Sequence, residues 1–130
     1  MPIPLPITAL YLALFCVFAC CLAIAAGRIR GSDGISVGDG GRTDLLIAMR
    51  RHANFVEYVP YFMIMFAVLE LNGGSALLLH GLGLGMLAAR ICHAAGLGEE
   101  VTALRGVGAG LTFLLSLIAA GVLGYQFVQA

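Results

Sequence analysis

Hydrophobic residues occur along the chain in four long runs, which short polar segments separate. A helix needs about 20 predominantly apolar residues to cross a hydrocarbon core of about 30 Å, and each run reaches that length. The pattern therefore predicts an all-α membrane protein, a four-helix bundle in one domain over residues 1–130. The predicted spans are residues 5–27, 44–71, 76–96 and 101–127.

The polar segments between the runs set the predicted ends of the helices. Residues 28–43 contain five glycines, two aspartates and three arginines, a composition typical of a loop. Thr43 or Asp44 suits the N-cap of the second helix, because either side chain can accept a hydrogen bond from the first turn. Pro60 is expected to kink that helix, since it has no amide hydrogen to donate. Residues 72–75 favour a tight turn.

Composition supports a membrane location. Hydrophobic residues make up 61% of the chain and charged residues 11%, and the mean hydropathy is +1.01. Ordinary soluble domains contain about 25% charged residues, so these values exclude an ordinary soluble globule. Seven arginines balance seven acidic residues, and lysine is absent. Because the chain has no net basic charge, binding to nucleic acid is not expected.

The arginines are distributed unevenly between the two sides of the predicted bundle. Arg28, Arg30 and Arg42 lie in the first loop and Arg105 lies near the third, whereas the second loop and both termini contain none. The positive-inside rule therefore predicts that both termini face outward and that the first and third loops face the cytoplasm.

Small residues within the predicted helices favour a packing interpretation. Gly81 and Gly85 in the third helix, and Gly106 and Gly110 in the fourth, have the four-residue spacing that lets membrane helices approach closely. Neither glycine-rich segment matches a nucleotide-binding fingerprint. The four cysteines lie within apolar runs and have no histidines at metal-ligand spacing, so we expect small buried side chains and no metal site.

A polar stripe on the second predicted helix is the main candidate for chemistry. Arg50, Asn54 and Glu57 stand at positions i, i+4 and i+7, and at 100° per residue they fall within an arc of about 60°, with Tyr58 on its flank. A charged side chain at membrane depth costs at least about 2.5 kcal/mol on the insertion scale. The stripe is therefore expected to face the bundle interior or a wet cavity.

Further cations are expected near the same end of the bundle. Arg90 and His93 lie one turn apart on the third helix, Arg105 begins the fourth, and Arg28 or Arg30 ends the first. Guanidinium groups bind carboxylates through paired hydrogen bonds, while the carboxylate of the stripe can bind an ammonium group. The cluster suits a small zwitterionic ligand that carries more negative than positive charge.

Structural pairing is the alternative interpretation of these charges. Glu57 can form an ion pair with Arg50 or Arg90 and so hold two helices in register without any chemistry. Glu70 lies at the outer end of the second helix, where an interfacial or capping role is favoured. His80 has no second histidine at metal spacing and is predicted to be a packed or hydrogen-bonded helix residue and not a metal ligand.

The second of the four predicted helices carries the motif Arg50-x-x-x-Asn54-x-x-Glu57-Tyr58-x-Pro60. With this motif, the sequence resembles the membrane-associated proteins in eicosanoid and glutathione metabolism (MAPEG), the family of the microsomal glutathione transferases and leukotriene synthases. The resemblance covers nearly the whole chain. Two further segments resemble the small bacterial members, namely Gly38-Asp39-Gly40-Gly41 and Glu70-Leu71-Asn72-Gly73.

The resemblance implies a homotrimer with a site for glutathione, as co-substrate, between neighbouring subunits on the cytoplasmic side. Arg105 lies within one residue of the position where an arginine stabilises the glutathione thiolate in some members, so it is the expected catalytic residue. The leukotriene synthases have two tyrosines where this chain has His93 and Leu97, so part of the contact set differs. The residues expected at the glutathione site are Arg28, Arg30, Arg50, Asn54, Glu57, Tyr58, Arg90 and His93.

The function that these observations favour is that of a glutathione-dependent transferase or peroxidase for lipophilic electrophiles or lipid hydroperoxides in a bacterial inner membrane. The alternative is a non-enzymatic member of the family that binds a lipid or another anionic ligand. A small proton-coupled multidrug transporter also has four spans, but it resembles a different pattern with an essential carboxylate in the first helix. The first predicted helix here has no carboxylate.

Overall fold

The computed structural model describes residues 4–98 and 102–129, which form four long helices. The helices are α1 (Pro6–Asp33), α2 (Thr43–Leu71), α3 (Ala76–Gly96) and α4 (Thr102–Gln129). Each is long and apolar enough to cross a membrane, which confirms the predicted all-α architecture. The bounds of α3 coincide with those predicted, whereas α4 extends beyond residue 127. Its predicted first residue, Val101, lies outside the described residues.

We call the end of the bundle that contains the C-termini of α1 and α3 the inner end, and the opposite end the outer end. The prediction of a loop from residue 28 is wrong, because α1 continues to Asp33. Polar residues alone do not interrupt a helix. Gly34 ends it by adopting a left-handed conformation with φ of +66°, from which its N–H bonds to the carbonyl of Arg30.

The start of α2 also differs from the prediction. Arg42, and neither Thr43 nor Asp44, occupies the N-cap position. The Arg42 guanidinium donates to Asp44 at 2.6 Å and forms an ion pair with Asp33 at the end of α1. The hydrogen bond to Asp44 makes the largest contribution to raising the pKa of the Arg42 guanidinium, and that to Asp33 makes the next largest. Arg42 thus connects the inner ends of α1 and α2 at the protein surface.

Aromatic residues fill the space between α1 and α2. The Tyr11 ring packs edge-on against Phe66 with centroids 5.6 Å apart, and the Phe15 ring lies 6.1 Å from that of Phe55. Such aromatic pairs stabilise a core beyond the area they bury. Helix α2 continues through Pro60 without interruption. The aromatic layer fixes the rotation of α2 and hence the direction in which its polar stripe points.

The prediction of close helix contacts at glycines is confirmed at Gly85, where a Cβ atom would lie 3.1 Å from the Leu115 side chain, and closer contacts occur at glycines that were not predicted. A Cβ atom at Gly83 would lie 2.5 Å from the Tyr11 ring, and one at Gly108 would lie 2.4 Å from the main-chain nitrogen of His93. The geometry of the helix crossing, and not glycine spacing alone, selects these positions. Three of the four glycines predicted at close contacts have no neighbour within 4 Å: Gly81, Gly106 and Gly110.

Polar side chains connect three helices at the outer end. Glu70 of α2 accepts hydrogen bonds from the main-chain N–H groups of Ile7 at 3.0 Å and Thr8 at 2.6 Å. It therefore caps the first turn of α1, where no local side chain does so. The Tyr11 hydroxyl bonds to Nδ1 of His80 at 3.0 Å, which connects α1 to α3. Glu70 thus has the capping role, and His80 the hydrogen-bonded role, that the sequence predicted.

The cysteines are less buried than predicted. Cys16, Cys20 and Cys21 of α1 are exposed on the surface of the chain, and Cys92 is half-buried. The prediction of buried side chains is therefore wrong for the three cysteines of α1, whose face of the helix points away from the bundle. No group of residues in the described part of the chain is arranged to hold a metal ion.

Candidate functional site

Arg90 is the most deeply buried charged side chain of the inner half of the bundle, with 1% of its surface exposed. Its Nη1 donates to the Thr112 hydroxyl of α4 at 3.2 Å. Its Nη2 lies 3.1 Å from Nδ1 of His93, one turn further along α3. Its Nε is buried and has no hydrogen-bond partner among the described residues. The hydrogen-bond partners of this guanidinium are therefore neutral groups, and they satisfy it only in part.

Arg90 forms no ion pair within the described chain, where Arg42 alone makes ion pairs with Asp33 and Asp44. Removing a single charge from water costs several kcal/mol unless an opposite charge or a full set of hydrogen bonds compensates. The predicted structural pairing of Glu57 with Arg50 or Arg90 is not formed within one chain. The buried guanidinium therefore has capacity for an anion.

Tyr58 connects the polar stripe of α2 with the buried arginine. Its ring packs edge-on against Phe113 of α4, with centroids 5.4 Å apart. The Arg90 guanidinium carbon lies 5.9 Å from the centre of the same ring. Cations within about 6 Å of an aromatic face are attracted by its electron density. Tyr58 and Arg90 thus form one local site at the junction of α2, α3 and α4.

His93 is buried beside Arg90, with 4% of its surface exposed. Arginine only donates hydrogen bonds, so Nδ1 of His93 accepts and the proton of a neutral ring is assigned to Nε2. The main chain of His93 packs against Gly108 of α4, which leaves no space for a side chain there. This contact brings α4 close to the buried guanidinium and allows Thr112 to reach it.

The rest of the polar stripe lies on the edge of the bundle. Arg50 and Glu57 are exposed, while Asn54 and Tyr58 are half-buried. The prediction that the whole stripe faces the bundle interior is therefore wrong for Arg50 and Glu57 in the single chain. Tyr58 lies on the side of α2 that contacts α4, whereas Glu57, the preceding residue, lies about 100° away around the helix and is exposed.

The two arginines near the end of α1 lie in different environments. Arg28 is exposed, whereas Arg30 is half-buried and donates to the carbonyl of Ser36 at 3.3 Å and to Sδ of Met49 at 3.2 Å. Arg30 and His52 line a cavity of about 410 Å³ between α1 and α2. This cavity lies on the flank of α2 that packs on α1, away from the flank where Tyr58 contacts α4. Within one chain, the predicted site residues therefore lie in two separate places. Arg30 lies between α1 and α2, whereas Tyr58 and Arg90 lie at the junction of α2, α3 and α4.

Arg105 is exposed at the end of the first turn of α4. Its main-chain nitrogen packs against Gly96 so closely that a Cβ atom on the glycine would lie 2.3 Å away. The inner ends of α3 and α4 therefore cross without intervening side chains. In the described chain the Arg105 side chain makes no hydrogen bond to the polar stripe or to Arg90.

Three residues near the site were missing from the predicted set. Thr112 accepts from Arg90, His52 shares the cavity with Arg30, and Arg51 donates to the main-chain carbonyl of Leu97 at the end of α3. Arg51 and His52 adjoin the Arg50 motif, which is a signal that the sequence did contain. Thr112 lies in an apolar run and had no such signal.

Comparisons with known proteins find similarity over most of the chain. The model of the MAPEG family matches residues 8–125. The "Inner membrane protein YecN" of Escherichia coli strain K12 is 30% identical over 112 residues, which cover 86% of each chain. The protein of the same name in Escherichia coli O6:H1 strain CFT073 matches with the same identity and coverage. No solved structure shows significant similarity to the chain.

Proposed function

Because the chain belongs to the MAPEG family, we propose that it is a glutathione-dependent membrane transferase or peroxidase that acts on lipophilic electrophiles or lipid hydroperoxides. The buried Arg90 guanidinium carries this proposal, since it has no carboxylate partner in the described chain. A site that keeps such a cation dehydrated gains stability when an anionic ligand binds. Glutathione supplies two carboxylates and one ammonium group.

The polar stripe provides complementary groups for that ligand. Arg50 and Arg90 bind its carboxylates, Glu57 binds its ammonium group, and Asn54 and Tyr58 donate or accept further hydrogen bonds. Only one carboxylate, that of Glu57, belongs to the stripe, so the net charge of the site complements a ligand with a net negative charge.

Arg105 is the proposed catalytic residue. A cation next to a thiol lowers the thiol pKa and so raises the fraction of thiolate, which is the nucleophile. In a transfer reaction the sulfur forms a bond to an electrophilic carbon, and the leaving group departs with the electron pair. In a peroxidase reaction two glutathione molecules are oxidised to the disulfide, while the hydroperoxide is reduced to an alcohol and water. The lipid around the helices supplies lipophilic substrates.

A homotrimer is part of the proposal. Arg50 and Glu57 are exposed on a face of α2 that otherwise carries large apolar side chains, including Tyr61 at 72% and Ile64 at 63% exposure. Charges that face lipid are costly, so a second copy is the expected cover for this face. In the proposed trimer, the Arg30 flank of a neighbouring subunit faces this stripe, and the complete site lies between subunits.

The chain is an integral protein of the inner membrane, as its four spans and its similarity to YecN support. We place both termini outward and the site toward the cytoplasm. The positions of Arg28, Arg30, Arg42 and Arg105 at the inner end support this orientation under the positive-inside rule.

Thermal unfolding of the purified protein with and without millimolar glutathione tests the proposal. We expect glutathione to raise the midpoint in the wild-type protein and in Arg42→Ala, which loses an arginine of the same end outside the site. Arg50→Ala is expected to lose the shift. A wild-type midpoint that does not respond to glutathione contradicts the proposal.

The alternative function is binding of a lipid or another anionic ligand without catalysis. Leu97 favours it, because its buried apolar side chain offers no hydrogen bond where the leukotriene synthases have a tyrosine. Mass spectrometry of the gently purified protein distinguishes the two functions. Retained lipid, with no response to any thiol compound, supports binding over catalysis.

A further inference from the structure

Arg51 makes a contact that the proposed catalytic roles leave unexplained. Its Nε lies 3.1 Å and its Nη2 2.7 Å from the main-chain carbonyl oxygen of Leu97. Leu97 is the C-cap residue of α3, where carbonyl groups lack partners within the helix. A guanidinium that donates twice to one of these carbonyls satisfies it and interacts favourably with the negative end of the helix dipole.

The contact is distinctive because it crosses between helices. In the part of the chain that the structure describes, the side-chain hydrogen bonds between α2 and α3 are those of Arg51 alone. Arg51 follows Arg50 directly and shares its helix with Asn54, Glu57 and Tyr58. A shift of α3 at this point therefore changes its distance from the polar stripe.

The end of α3 in turn determines where α4 begins. Gly96 packs directly on the main-chain nitrogen of Arg105 and on Leu104. Gly98, which has a φ of +90°, packs on the Ile47 side chain of α2. A side chain at either glycine would collide with these atoms, so the inner ends of α2, α3 and α4 are closely packed.

We propose that Arg51 is a positioning residue that sets the distance between the polar stripe of α2 and Arg105 of α4. This inference rests on the proposed function, because the distance matters only if Arg105 stabilises the glutathione thiolate. Arg51 holds the Leu97 carbonyl, Leu97 adjoins Gly96, and Gly96 contacts the Arg105 main chain. Arg51 itself does not touch the ligand in this arrangement.

A distance measurement tests the structural half of the proposal without any ligand. Spin labels are placed at Leu46 and Val107, both exposed, in a background that lacks the four cysteines. Labelled chains are diluted with unlabelled protein so that distances within one chain are recorded. We expect Arg51→Met to broaden and lengthen the distribution and Arg51→Lys to restore part of it. The matched control Arg28→Met, at an exposed position of α1, is expected to leave it unchanged, and an unchanged distribution in Arg51→Met overturns the proposal.

Kinetics test the functional half. If Arg105 moves away from the thiol, less thiolate forms at neutral pH, so we expect Arg51→Met to lower kcat on the order of tenfold. The KM for glutathione is expected to change little, and raising the pH is expected to recover the rate. Unchanged kcat, or equal changes in kcat and KM with no recovery at higher pH, overturns the positioning role. If the wild-type protein neither binds nor converts glutathione, the proposed function fails, while the distance measurement still decides whether Arg51 positions α4.

Discussion

The guanidinium of Arg90 lies over the ring of Tyr58, 5.9 Å from its centre, and connects the polar stripe of α2 to the buried end of the site. The same guanidinium thus contacts both an aromatic ring and hydrogen-bonding side chains. The ring covers the cation from the α2 side, while Thr112 and His93 bind it from α4 and α3. The remaining coordination of the guanidinium is available for an anion.

Replacing Arg90 by leucine separates a structural role from a ligand-binding role. Replacing a buried ion pair by packed apolar side chains is often neutral or stabilising by about 1–4 kcal/mol, and a buried charge without an ion-pair partner has less Coulombic attraction to lose. We therefore expect Arg90→Leu to retain or raise the thermal midpoint without ligand and to lose the response to glutathione. Both quantities come from one set of unfolding curves with and without glutathione.

Thr112→Val is the matched control, because it removes one acceptor of the guanidinium and keeps the volume. We expect it to cost about 1 kcal/mol of stability and to retain a reduced response to glutathione. If Arg90→Leu instead unfolds at a much lower temperature, the arginine serves the bundle and not a ligand.

Some helix ends could be predicted from the sequence, whereas the contacts between distant segments could not. The bounds of α3 coincide with those predicted because Ser75 caps one end and the apolar run stops at the other. The end of α1 was missed because polarity was interpreted as a loop signal, although only Gly34 interrupts the helix. The polar stripe follows from periodicity. Thr112 and Leu97 do not, because their partners come from distant segments that no local spacing encodes.

Gly108 is predicted to be intolerant of a side chain. A Cβ atom there would lie 2.4 Å from the nitrogen of His93 and 2.6 Å from the carbonyl oxygen of Ala89. Both are main-chain atoms, so the helices must separate, and we expect Gly108→Ala to destabilise the protein by about 1–3 kcal/mol. Thermal unfolding in detergent measures the effect.

Gly110 provides the comparison, since it lies on the same helix and has no neighbour within 4 Å at its Cβ position. We expect Gly110→Ala to be neutral or stabilising by up to about 1 kcal/mol, as alanine favours helix more than glycine does. Equal destabilisation by both substitutions contradicts the close α3–α4 contact at Gly108.

Glu70 is predicted to stabilise the first turn of α1. Its two carboxylate oxygens accept from the N–H groups of Ile7 and Thr8, which otherwise lack partners. Glu70→Ala leaves both donors unsatisfied, so we expect a loss of about 1–3 kcal/mol. Glu70→Gln keeps one acceptor and is expected to lose less. Hydrogen exchange of the N-terminal turn of α1 is expected to accelerate in the same order, and equal exchange in all three proteins excludes the capping role.

The exposed face of α2 is predicted to lie between subunits. Ile64 is 63% exposed on that face, which also carries Glu57, whereas Leu117 is 70% exposed on a face of α4 that bears no charge nearby. We introduce a single cysteine at either position in a background without the four native cysteines. Each cysteine is labelled with a photoactivatable crosslinker, which reacts with whichever surface of a neighbouring chain covers it. Irradiation is expected to yield covalent dimers of Ile64→Cys at high yield and few of Leu117→Cys, because the α2 face of one subunit packs against a different face of the next around a trimer axis. Native mass spectrometry of the unmodified protein is expected to show three chains. A single-chain mass, or equal crosslinking at both positions, contradicts the trimer and leaves Arg50 and Glu57 without the cover that the proposed site requires.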